Sequence, residues 1–158
     1  MIEGFSAISL GNNDVDTDVL GDAYEYLVGK FADVTRRNKA GEFYTPRSVV
    51  RMMIEILDPK EGESIYDPAC GTGGMLLGAI DYVKRGGGDP RTFFGNIFGQ
   101  EKNLTTSSIA RMNLVLHGIE DFEIIREDAL REPGFTDGAG GLAKNRSILG
   151  LARGFLRR

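Results

Sequence analysis

Apolar side chains recur along this chain at two spacings, three to four residues apart over long stretches and in short runs between them. Leu20, Tyr24, Leu27 and Phe31 share one helical face and predict a helix over about residues 19–35. Thr45-Pro46 reads as a helix start, with a hydroxyl at the N-cap and proline at the first helical position. Val49, Val50, Met53, Ile54 and Leu57 then fall on one side until Asp58-Pro59 stops the helix. Ser64-Ile65-Tyr66-Asp67 predicts a short strand. Leu76, Ala79, Ile80 and Val83 predict a third helix, closed by Gly86-Gly87-Gly88. Ile97-Phe98-Gly99-Gln100-Glu101 predicts a second strand. Asn103 caps a fourth helix with Leu104, Ile109, Met112 and Leu116 facing inward, ended by His117-Gly118. Phe122 to Arg126 predicts a third strand. Helix, helix, β, α, β, α, β is the order of a parallel sheet covered by helices, and right-handed crossovers make the fold α/β and Rossmann-like.

Three regions follow: a polar segment at 1–18, the periodic elements at 19–130, and a Gly/Arg-rich tail at 131–158 with only a weak helical pattern near Leu149 to Leu156. The chain has 158 residues, enough for one domain with a core. No apolar run reaches the roughly 18 residues of a membrane span, and the first residues lack the pattern of a secretory signal. Cys70 is the single cysteine, so no intrachain disulfide forms and a reducing, cytoplasmic setting is expected.

Charge is uneven within the net of −4. Residues 131–158 carry six Lys or Arg against Glu132 and Asp137, whereas residues 1–130 carry 13 basic and 21 acidic side chains. The larger part is therefore a poor electrostatic match for phosphates.

The sharpest chemistry lies at Asp67-Pro-Ala-Cys-Gly-Thr-Gly-Gly74, between a predicted strand and helix. Backbone N–H groups at a helix N-terminus meet a ligand there, and Gly71, Gly73 and Gly74 clear the approach. The dinucleotide fingerprint fails because Leu76 stands at its last glycine, and no P-loop lysine follows. Asp67 would repel a pyrophosphate but suit an ammonium group. Glu101 ends the second strand, where a ribose diol is commonly held, and Asp128 follows the third. Three acids at adjacent carboxyl ends converge on one crevice under the switch-point rule. A plain β–α turn and an exposed Glu at a helix start are the bland alternatives for the first two. Cys70 reads as a buried small side chain rather than a nucleophile, since no paired histidine is evident. His117 reads as a helix-end residue. Ligand-spaced His/Cys pairs are absent, so no metal site is expected.

Gly-Glu-Phe-Tyr-Thr-Pro at 41–46 and Asp-Pro-Ala-Cys-Gly-Thr-Gly-Gly-Met-Leu at 67–76 resemble the adenine-specific N6 DNA methyltransferases. Within that family the chain is most similar to the modification subunit of type I restriction-modification systems. Gly21-Asp-Ala-Tyr-Glu-Tyr-Leu27, Gly99-Gln-Glu101 and Glu127-Asp-Ala-Leu130 extend the resemblance over about residues 15–144. It implies an S-adenosylmethionine-dependent methyltransferase fold, here with its first three strands. It also implies that Glu42, Phe43, Tyr44, Thr45, Pro46 and Arg47 close over the methionine end, Thr45 near its carboxylate. Gly71, Thr72, Gly73 and Gly74 would form the turn under the cofactor, with Asp67 at its amino group. Glu101 would take the ribose hydroxyls and Asp128 the adenine amine. The implied partners of the intact protein are a DNA sequence-specificity subunit, a restriction subunit and double-stranded DNA, with no membrane.

Methyl transfer to an exocyclic amine needs that amine aligned behind the methyl group. In the resembled family an Asn-Pro-Pro-aromatic turn after the fourth strand does this, stacking a flipped adenine. This sequence has no Pro-Pro pair and its last proline is Pro133, so no catalytic residue is assigned. The expectation is an internal fragment, inactive alone, with a tail after Lys144 in a foreign reading frame and a bare edge on the first strand. A non-catalytic cofactor-binding remnant, or a methyltransferase for another amine or amide such as a protein glutamine, are the alternatives.

Overall fold

The computed structural model describes residues 17–36, 45–135 and 147–148. Two helices, α1 (Thr17–Arg36) and α2 (Arg47–Leu57), precede β1 (Ile65–Asp67). Then come α3 (Gly74–Arg85), a 3₁₀ turn at Pro90–Phe93, β2 (Ile97–Gln100), α4 (Leu104–Leu116), β3 (Glu123–Ile125) and β4 (Ser147–Ile148). The strands stand in the order β3-β2-β1-β4, all parallel. This is the Rossmann-like α/β architecture that the alternation of strands and helices predicts. The three expected strands are present, but the expected bare edge is not. Ser147 and Ile148 pair with Ile65 and Tyr66, because a parallel ladder asks only for backbone groups, whatever the side chains of the tail.

Pro46 rather than Thr45 is the N-cap of α2, with φ −54° and ψ 138° and no side-chain capping bond. Lacking an N–H, the proline loses nothing outside the helix, and its carbonyl accepts from Val49 and Val50. Ile54 is buried, while Val50, Met53 and Leu57 pack partly buried against the core. Asp58 ends α2 in the left-handed region, φ 47°. Lys60 and the Tyr82 hydroxyl, both on its carboxylate, hold that carboxyl below its ordinary range.

The core lies between the sheet and α3. Leu76, Ala79, Ile80 and Val83 are buried as their spacing predicts, over Ile65, Ile97 and Ile124. On the other face of the sheet, Phe135 packs edge-on against Tyr66 and Phe98, with ring centroids 5.2 and 5.1 Å apart. Gln100 anchors this segment. It is fully buried, donates to the Glu132 carbonyl at 2.7 Å, and accepts from the Tyr66 hydroxyl at 2.9 Å and the Gly134 N–H at 3.1 Å. Burial pushes the Tyr66 phenol upward, which keeps it a donor.

Two apolar faces differ from expectation. Asn103 does cap α4, accepting from the Thr106 N–H, and His117-Gly118 does end it, Gly118 at φ +74°. The inward face, however, is Thr106, Ser107, Ala110, Asn113 and Leu114, whereas Leu104 and Met112 are about half exposed. Small side chains let α4 approach the β1–α3 turn closely, and that approach decides the helix rotation. On α1, Leu27 is exposed and Gly21 buried, with Tyr24 and Val28 half-buried beside it. A Cβ on Gly21 would stand 2.6 Å from the His117 ring, so a glycine is what lets the two helices meet.

Replacing Gln100 with Ala orphans Tyr66, Gly134 and the Glu132 carbonyl together. The expected loss is about 2 kcal/mol or more in denaturant unfolding, with Phe135 becoming accessible to solvent quenchers.

Candidate functional site

β1 ends on Asp67, and the chain then turns through Pro68–Gly73 before α3 begins. Such a turn leaves the sheet ladder, so its buried N–H groups need partners elsewhere. Asp67 is 2% exposed and its Oδ1 accepts from the Ala69 N–H at 3.0 Å. The Cys70 N–H donates to the Gln100 carbonyl at 2.9 Å, and the Gly71 N–H to Glu101 Oε2 at 3.1 Å. The Gly73 N–H donates to the Cys70 carbonyl at 2.9 Å, and Asn113 Nδ2 donates to the Thr72 carbonyl at 3.1 Å. Gly73 takes φ 84°, ψ 4°, a conformation that side-chain-bearing residues adopt at a cost. The turn is thus tied to β2, to the loop after β2 and to α4.

A cavity of about 460 Å³ opens beside it. Thr45 and Arg47 line it from the start of α2, Asp67, Thr72 and Gly74 from the turn, and Asn113 from α4. A buried carboxylate and a guanidinium on one cavity, next to the positive N-terminus of α3, suit a ligand carrying both an ammonium and a carboxylate.

Glu101 touches the same turn without lining the cavity: Oε1 accepts from the Asn103 N–H at 2.9 Å, while Oε2 holds Gly71. Asp128 stands off it. Its Oδ2 meets Lys102 Nζ at 3.0 Å and its Oδ1 accepts from the Leu130 N–H at 3.1 Å. The lysine, and then the backbone bond, keep its carboxyl below the ordinary range. The three acids therefore lie at or past the ends of adjacent strands, but of the three only Asp67 lines this cavity.

The family model for N-6 DNA Methylase matches residues 15–145. The chain belongs to the N-6 DNA methylase family. The type I restriction enzyme MjaIX methylase subunit of Methanocaldococcus jannaschii is 38% identical over 137 residues, 87% of this chain and 24% of that protein. The type I restriction enzyme EcoEI methylase subunit of Escherichia coli is 42% identical over 120 residues, 73% of this chain and 24% of that one. A solved type I restriction-modification system methyltransferase subunit from Streptococcus thermophilus is similar at a TM-score of 0.69 and 37% identity, over 86% of this chain and 28% of that chain. The chain spans about a quarter of the length of the curated relatives it matches.

Of the residues that the resemblance nominates, the structure brings Thr45, Arg47, Asp67, Thr72 and Gly74 to one cavity, with Gly71 and Gly73 in the turn behind it and Glu101, just past β2, bonded to that turn. Pro46 caps α2 next to that lining. Glu42, Phe43 and Tyr44 lie outside the described residues. Cys70 is buried, its thiol 3.9 Å from the Gly71 carbonyl. The His117 ring meets the Asn113 carbonyl through Nδ1 at 2.8 Å. Among the described residues no cluster of His, Cys, Asp and Glu could hold a metal ion, and no helix is long and apolar enough to cross a membrane. Sequence reasoning missed Gln100 and Asn113. For Asn113 the available signal is a row of small and polar residues (Thr106, Ala110, Asn113) at helical spacing, which an apolar pattern does not report.

Two glycines of the turn separate conformation from space. Gly73→Ala is expected to cost about 1 kcal/mol in thermal unfolding through its positive φ. Gly74→Ala, at the first helical position with nothing within 4 Å of an added Cβ, is expected to stay within about 0.5 kcal/mol of the wild type.

Proposed function

We propose that this chain is the S-adenosylmethionine-binding part of an adenine-N6 DNA methyltransferase subunit of a type I restriction-modification system. The observation that carries the proposal is the buried Asp67 carboxylate at the end of β1, where the chain turns toward α3, on a cavity that Arg47 and Thr45 also line. The donor set fits the methionine end: Asp67 for the ammonium, Thr45 and Arg47 for the carboxylate, and the glycine turn for close approach of the backbone. The family resemblance assigns Glu42, Phe43, Tyr44 and Pro46 to the same end of the cofactor. Glu101 holds the ribose hydroxyls, since each carboxylate oxygen retains a lone pair beyond its backbone bond. Asp128 receives the adenine amine in the same way. The bound cofactor supplies a methyl group on a positively charged sulfur. The chain's own task is to bind and orient it.

Presenting the target amine belongs to a part of the intact subunit that this sequence does not contain, because the Asn-Pro-Pro-aromatic turn is missing. Its partners there are a DNA sequence-specificity subunit, a restriction subunit and double-stranded DNA, in the cytoplasm. The acidic balance of residues 1–130 supports leaving DNA contact to others. A chain that binds cofactor and transfers nothing is the consequence.

Calorimetric titration with S-adenosylmethionine tests the reading. Wild-type binding weakened about 10- to 100-fold by Asp67→Ala supports it, and folded wild-type protein that takes up no heat contradicts it. Incubation of the purified chain with unmethylated DNA and labelled cofactor is expected to leave the DNA unlabelled. Label in adenine would place the acceptor site within this chain.

A further inference from the structure

Asn113 is unusual in this chain. It sits in the middle of α4, 2% exposed, and lines the cavity with Asp67 and Thr72. Its Nδ2 donates to the Thr72 carbonyl at 3.1 Å, which settles which amide atom is nitrogen, because that carbonyl accepts only from a donor. Its Oδ1 is buried without a hydrogen-bond partner among the described residues. A buried acceptor left unmade is costly, and such orphans in native proteins call for an explanation, a group bound from outside being one.

We propose that Asn113 is a further ligand-binding residue of this site. Its Nδ2 holds the turn by Thr72 while its Oδ1 accepts a hydrogen bond from the ammonium group of an amino-acid-bearing nucleoside lodged in the cavity. The inference rests on the cofactor reading above and adds a contact to it. The missing partner must be a donor, and the donors of such a ligand are its ammonium, its ribose hydroxyls and its adenine amine. Glu101 and Asp128, assigned to the last two, do not line the cavity, whereas Asp67 and Asn113 both do. Two acceptor-bearing side chains on one cavity, one charged and one neutral, match a group with three N–H bonds to place.

The test compares two ligands that differ in this end alone. S-adenosylhomocysteine carries the amino acid, and 5′-methylthioadenosine does not. Calorimetry gives the ratio of their affinities in the wild type, in Asn113→Ala and in Asn113→Asp. A variant that is partly unfolded weakens both ligands by the same factor, so the ratio is untouched by lost stability. The expected result is that Asn113→Ala lowers the preference for S-adenosylhomocysteine by at least about tenfold. Asn113→Asp, which keeps an acceptor oxygen, is expected to retain the preference. A ratio that falls by less than about tenfold in Asn113→Ala, or that falls equally in both variants, overturns the proposal and leaves Asn113 as a prop for Thr72. Folded wild-type protein that binds neither ligand overturns the cofactor reading itself, a separate outcome.

Discussion

Between Pro68 and Gly73 the backbone leaves the sheet and has no ladder to satisfy it, yet Cys70, Gly71 and Gly73 are buried there. Each N–H that such a turn hides must find an acceptor or cost about 1–3 kcal/mol. Every partner of these three comes from a defined place: the Gln100 carbonyl at the end of β2, the Glu101 carboxylate beside it, and the carbonyl of Cys70 within the turn. The register of β2 against β1, Asp67 opposite Gly99, puts Gln100 and Glu101 level with the turn. The parallel sheet is therefore what shapes the candidate site, through two residues of one strand end.

The same constraint reaches outward to the helices. Asn113 can hold Thr72 only if α4 lies close to the turn, and Ala110 with its small neighbours makes that distance possible. The rotation that brings this face inward sends Leu104 and Met112 toward solvent. It also turns the end of α4 so that His117 receives Gly21 of α1. On the opposite face, Gln100 binds the strand end to the segment carrying Phe135. One strand end is thus fixed from both sides of the sheet, and the cavity inherits its shape from those bonds rather than from the turn alone.

Much of the architecture was legible because its signals are local. The apolar stripe of α3, the Asn103 cap, the Asp58 stop and the αL Gly118 each depend on a few consecutive residues and an intrinsic preference. The turn after β1 was legible for a similar reason, since glycines following a short strand mark a β–α turn. What stayed hidden is non-local. The buried face of α4 follows from a hydrogen bond to a residue 41 positions earlier, and that of α1 from a contact with His117. Gln100 has no apolar signature although its three partners lie 32 to 34 residues away. The two-residue strand β4 is held by backbone pairing, which side-chain patterns do not report.

The central claim is that the protein itself holds this turn in the geometry described, before any ligand arrives. Native-state hydrogen exchange at the amides of Cys70, Gly71 and Gly73 in the unliganded chain tests it most directly. The account predicts that all three are protected to the level of the β2 ladder amides, with Gly71 losing protection when Glu101 is replaced by Ala. Exchange of these amides at unfolded-chain rates, beside a protected β2, would contradict it and make the site a product of ligand binding instead.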